Sequence, residues 1–253
     1  MRNSISICVS VSAVLVMLSA PARADDDGWQ HTAVIYVIGT SIDGTVGIGP
    51  VDGDLDIGFD DVLDNLDAAF MAAYRGDAGR WAVSADLIYL GLEKKKSGLG
   101  ITGNESGQLD MDQLIFEVDG NYQLTERLDA VAGLRYWDLE TKLKRTIPLP
   151  PPGMTLTGKV EEDWIDPVVG LRYEQPLGEK WLLVGRGDIG GFGVGSDFSW
   201  HVTAFVGLKV FKSGLVIAGV RYIGVDYEDG DGAGRFKYDV TEGGPTLGFA
   251  WTF

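Results

Sequence analysis

The sequence predicts an all-β protein, an antiparallel transmembrane β-barrel of ten strands, and three observations predict it. Long stretches alternate apolar with polar or small residues at a period of two. The connections between those stretches alternate short and long. The final stretch puts Leu247, Phe249, Trp251 and Phe253 on one apolar stripe, which a soluble sheet would leave exposed. A strand with one face toward hydrocarbon needs that pattern.

The elements follow in chain order. Arg2, the apolar run from Ile5 to Ala20 and the small-x-small triplet Ala22-Arg23-Ala24 read as a secretory signal peptide over 1–24. The run is too short for a spanning helix, which needs about 20 apolar residues. Cleavage after Ala24 would leave one barrel domain over 25–253. It would remove Cys8, the single cysteine, and with Arg2 and Arg23 gone the formal charge of −16 would become −18. Such acidity argues against nucleic acid and against a polybasic membrane patch. Glycine, at 36 residues, and 26 aromatics suit tight turns and aromatic girdles.

Alternation is clearest at Leu114, Phe116, Val118, Gly120, Tyr122 and Leu124, which oppose Glu117, Asp119, Asn121 and Gln123. Similar runs begin at Trp81, Leu128, Val169, Trp181, Trp200 and Val216. A soluble lipocalin-like barrel alternates too, but the length of the runs and both chain ends favour lipid. Tight turns are expected at 77–79, 125–127, 176–180 and 212–214, and longer connections at 41–66, 94–107, 144–158, 190–197 and 228–235. Four short and five long connections give ten strands with both ends periplasmic. Eight or twelve stay open, because the first strand, Trp29 to Thr40, alternates poorly.

The first long connection holds seven aspartates and one helical pattern. Phe59, Val62, Leu63 and Leu66 share one face of a two-turn helix. A helix that short must dock to persist, and a plug of the lumen or rim is the expected place. Pro148, Pro150, Pro151 and Pro152 stiffen the third long connection. Gly190-Gly191-Phe192-Gly193 reads as a mobile edge.

Alternating strands, the Gly-apolar-Arg-Tyr echoes at 133–136, 170–173 and 219–222, and the terminal Phe253 together resemble the small outer-membrane β-barrel proteins of Gram-negative bacteria. The stripe Leu247, Phe249, Trp251 and Phe253 is similar to the signal by which the barrel assembly machinery recognises its clients. The resemblance implies outer-membrane localisation and contact with lipid and lipopolysaccharide. It implies no particular activity, since many functions share such barrels.

Parity sends Asp86, Glu117, Asp119, Arg135, Arg172, Glu174, Arg186, Asp188 and Arg221 into the lumen. Ionisable residues at membrane depth are candidates for function, yet paired charges also fill a narrow barrel. Bulky inward Ile88, Val131, Trp137, Phe205 and Ile217 narrow it further. His201, with Ser199 and Asp197 on its strand face, is the best candidate for a hydrolase. Residues i and i+2 stand roughly 6.5 Å apart on a strand, too far for a nucleophile–base bond. No zinc-like or EF-hand spacing and no cofactor motif occurs. The expected role is a structural or interaction scaffold presenting loops outside. A narrow conduit for a small solute is the first alternative, and a lipid-modifying enzyme the second.

Overall fold

The computed structural model describes residues 28–99, 105–147 and 154–253. The expected leader and Pro148 to Pro152 lie outside the described residues. The chain folds as one antiparallel sheet that closes when β1 (Gln30–Ile38) pairs with β12 (Phe236–Thr252). Closure runs from Thr32↔Thr252 to Ile38↔Thr246, and His31 and Phe253 exchange backbone bonds of 2.9 and 3.0 Å. No backbone edge is left open there to lipid, as a membrane requires.

The wall has ten strands, with two extra segments continuing the first pair upward. Strand β2 (Ser41–Ile48) carries on from β1 along β12, and β3 (Val51–Ile57) returns beside β2. Then come α1 (Phe59–Asp64), β4 (Leu66–Ala78), β5 (Trp81–Leu99), β6 (Glu105–Thr125), β7 (Leu128–Ile147), β8 (Met154–Leu177), β9 (Trp181–Gly191), β10 (Phe198–Lys209) and β11 (Gly214–Asp229). Tight turns close the end that also carries Gln30 and Thr252, with Gly79 and Gly178 at positive φ in two of them. Short turns mark the periplasmic end of such barrels.

The outward face is apolar where lipid meets it. Val37, Trp81 and Leu247 are each more than half exposed, a cost that only hydrocarbon removes. Trp29, Trp81, Trp181, Trp251 and Phe253 ring the periplasmic rim, and Tyr89 and Tyr136 stand eight residues or so up their strands. Trp81 to Tyr89 covers roughly 26 Å of strand, most of an apolar band about 25 Å tall even after tilt. There Tyr89 donates to Asp112 at 2.8 Å and Tyr136 to Asp138 at 3.2 Å, phenols marking the polar boundary. The chain is therefore an integral outer-membrane barrel.

Four expectations need correction, the last of them the helix. The region 41–66 is largely wall rather than loop, because Ile42, Val46 and Leu55 alternate inward and pack against the core. The other connections are shorter than expected, since β5 to β8 run 19 to 24 residues and rise well above the membrane. The glycine edge is clamped: Ser196 donates through its backbone N–H and hydroxyl to Asp166, at 2.7 and 2.8 Å.

Helix α1 is not a plug built from its apolar stripe. It interrupts the chain between β3, which pairs only with β2, and β4. Only Val62 is buried, while Phe59, Leu63 and Leu66 face outward. The Phe59 ring lies on the backbone of Gly39, opposite Pro245, where a Cβ would come within 3.3 Å of it. With Asp60, Asp61 and Asp64 beside that stripe, the helix suits the membrane interface, apolar face to lipid.

Candidate functional site

The lumen is layered. Its upper half is a packed apolar core of the kind a soluble protein would bury. Trp137 stacks on Trp164 at 5.5 Å, Trp164 on Tyr227 at 3.9 Å, and Phe236 on Tyr238 at 6.4 Å. Ile42, Ile115, Leu139, Val225 and Val240 fill the space around them, and Val62 reaches in from α1. These residues meet because inward parity on six strands places them at one height. Among them, Gln113 donates to Glu242 at 3.0 Å.

Beneath the aromatics lies an ionic layer. Arg135, fully buried, donates to Glu117 at 2.5 Å and Asp188 at 2.7 Å. Arg186 spreads three donors over Asp188, Asp119 and Glu117 at 2.9, 2.8 and 2.5 Å. His201 Nδ1 lies 3.0 Å from Asp188; an ionised carboxylate only accepts, so the ring donates from Nδ1. Beside this group Arg221 binds Asp86 at 2.9 Å, and Tyr36 bridges them, donating to Asp86 and accepting from Arg221 at 2.8 Å. Two guanidiniums thus hold three carboxylates, with the Arg221–Asp86 pair alongside.

Such a layer costs desolvation, and its geometry must offset that cost. Oxygens of Glu117 and Asp188 with a nitrogen of His201 lie within 4.8 Å of one another, a spacing that can hold a metal ion. Arg135 and Arg186 already occupy those oxygens, so a cation would have to displace two guanidiniums.

The periplasmic half is open. A bowl of about 750 Å³ runs from the turns up to Tyr36, Asp86, Arg186, His201 and Arg221. On its wall Arg75 donates to Asp77, Asn121 and Asp129 at 2.8 to 3.0 Å. Arg172 pairs with Glu174 at 2.6 Å and lies 3.7 Å from Asp129.

The nine lumen charges expected from parity all face inward. They divide into the ionic layer (Glu117, Asp119, Arg135, Arg186, Asp188), the Asp86–Arg221 pair and a lower pair, Arg172–Glu174. Sequence reasoning missed Arg75, Asp129, Tyr36, Gln113 and Glu242. The signal for Arg75 was available in Met71, Ala73 and Asp77, its inward neighbours on β4. His201 takes Asp188 of the neighbouring strand as its partner, not Asp197, and Ser199 is buried with no partner for its hydroxyl among the described residues. Leu247, Phe249, Trp251 and Phe253 lie together on the outward face of β12.

No protein-family profile and no curated protein matches this sequence. Among solved structures the chain is similar to the outer membrane protease OmpT of Escherichia coli, with a TM-score of 0.54 at 11% identity, covering 92% of this chain and 99% of that one. It also matches the translocator domain of the autotransporter NalP of Neisseria meningitidis (TM-score 0.46, 14% identity, 91% and 90% covered). A third is Ail, the attachment invasion locus protein of Yersinia pestis (TM-score 0.41, 11% identity, 90% and 99% covered). At these identities the likeness to OmpT speaks for the fold alone.

Proposed function

We propose that this outer-membrane barrel is a non-conducting scaffold that holds an acidic crown above the membrane. The observation that carries the reading is the sealed upper lumen, with stacked Trp137, Trp164 and Tyr227 over the Arg135–Glu117–Asp188 layer. A ten-stranded barrel is only slightly wider than the eight-stranded ones that side chains fill. Here aromatic rings take up that small excess, so the barrel is stiff and water has no continuous path.

The crown is what such a scaffold offers to the outside. Strands β5 to β8 rise above the aromatic boundary, and the β2–β3 hairpin stands beside the top of β11 and β12. Arg235 ties them, donating to Asp52 at 2.6 Å and Glu228 at 2.8 Å. Outward Asp43, Asp54 and Asp56 lie at the level where lipopolysaccharide headgroups begin. His201 has a packing role in this reading, since its Nε2 is buried beneath the bowl surface.

Planar bilayers test the reading. The purified barrel is expected to stay silent under voltage and to leave liposome permeability to small sugars unchanged. Discrete conductance steps from the unaltered protein would overturn it.

A further inference from the structure

We infer that the periplasmic bowl is a binding site for a small organic anion with an apolar body, entered from the periplasm. Each of the four short turns sets a cation at the mouth. These are Arg80 on the first, Arg127 on the second, Lys180 on the third, and Lys209 with Lys212 on the fourth; all five are exposed and all line the bowl. None of them has a carboxylate within ion-pair distance among the described residues. Arg80 instead lies over the Tyr122 ring at 5.2 Å.

Two carboxylates, Glu126 and Glu179, share the rim, so the mouth is net positive on a chain whose formal charge is −16. Deeper carboxylates reduce that excess without reversing it: Asp77, Asp129 and Glu174 share Arg75 and Arg172, Glu117, Asp119 and Asp188 share Arg135 and Arg186, and Asp86 has Arg221. The positive excess is therefore greatest at the entrance, where low-dielectric walls focus it on an incoming anion. Above the ring the wall turns apolar at Val34, Val184, Phe205, Leu215 and Ile217. An anionic group held at the mouth would lay an apolar body against that wall. The volume lies within the range of small-molecule sites. That the ligand goes no further rests on the sealed lumen of the scaffold reading; binding itself does not.

The test uses the barrel isolated from membranes and placed in phosphatidylcholine nanodiscs. Naphthalene-2-sulfonate is titrated calorimetrically against it, with a naphthyl quaternary ammonium as the oppositely charged control. Saturable one-to-one binding of the sulfonate alone is expected. Affinity should fall about tenfold in Arg127→Gln/Lys209→Gln/Lys212→Gln and fall again at high salt, where exposed charges are screened. These exposed side chains make no contact the fold needs, and an unchanged heat-dependent gel shift checks that.

Equal binding of the ammonium, or sulfonate affinity unchanged in the triple variant, would overturn the proposal. So would phosphatidylglycerol in the disc abolishing sulfonate binding, which would make the ring a lipid-headgroup site. Asp25, Asp26 and Asp27 precede Trp29 closely in sequence, so the titration is repeated with all three changed to Asn. Higher affinity there supports the proposal, because these aspartates are competing anions. Sulfonate binding seen only in that variant would make the ring a dock for the chain's own tail and overturn the proposal.

Discussion

Arg135 shows how much rests on single residues in the packed lumen. It donates to two carboxylates from different strands, and no water-filled space surrounds it. Removing it leaves Glu117 and Asp188 buried with Arg186 as their one remaining guanidinium. Arg135→Ala is expected to destabilise the barrel by about 3–5 kcal/mol, read from urea unfolding in detergent. A loss below about 1 kcal/mol would mean that the layer relaxes or hydrates freely.

Asp226 makes an opposite case above the membrane. It lies directly across from Asp239 on β12, and partial burial, with that neighbouring charge, raises its carboxyl above the ordinary range. A raised carboxyl favours the folded state while protonated, and that contribution fades as pH rises through the folded value. Asp226→Asn is therefore expected to raise the melting temperature at neutral pH. The gain, under about 1 kcal/mol for an opposed like-charge pair, should vanish as pH falls below the usual carboxylate value near 3.9. A gain that persists in acid would show that charge is not its cause.

At the scale of elements, the irregularity gathers where the first two wall strands meet the last, β12. Pro245 has no N–H to give the ladder, and beside it Gly243 takes φ +145° with its Cβ position 2.1 Å from the Arg221 carbonyl. Backbone cannot yield as a flexible side chain can, so Gly243→Ala is expected to abolish or severely reduce folding into detergent micelles, judged by the gel shift. An alanine variant of normal stability would show that β12 can straighten there. Helix α1 gives a paired contrast. Val62→Asp would bury a lone carboxylate and should cost about 3 kcal/mol or more. Leu63→Ser, on the outward face, should change thermal stability by less than about 1 kcal/mol. A reversal of that order would restore the apolar stripe as a plug.

For the whole molecule, the question is what separates a closed barrel from a conduit. In the upper half side chains fill the lumen of ten strands, so under the scaffold reading closure depends on a few large ones. Trp137→Ala/Trp164→Ala removes two indoles from the layer where the seal is tightest. That variant should lose several kcal/mol per site and, where folded, admit small conductance steps absent from the unaltered barrel. A silent double variant would put the seal in the ionic layer rather than in the aromatics.

Much of this was legible in the sequence because a period of two is a local property. Phe116 and Glu117 announce opposite faces on their own, and the stripe ending at Phe253 announces lipid. The count of ten strands followed from turn spacing, even though 41–66 is wall. That region was hard to read because Gly44, Gly47 and Gly53 dilute the alternation and aspartates occupy its outward positions. The helix at 59–64 was legible as a helix, but its direction was not, since an apolar stripe looks the same whether it meets a core or a lipid.

The sequence by itself determined the class: the alternation, the two faces, and which charges point inward. Only the tertiary structure decided which of those charges meet, that Asp188 rather than Asp197 holds His201, and that aromatics from distant strands pack together in the upper lumen. The physical reason is that facing follows from one strand's own backbone, whereas partnership depends on the stagger between strands. That stagger is set when the sheet curls round and β1 meets β12.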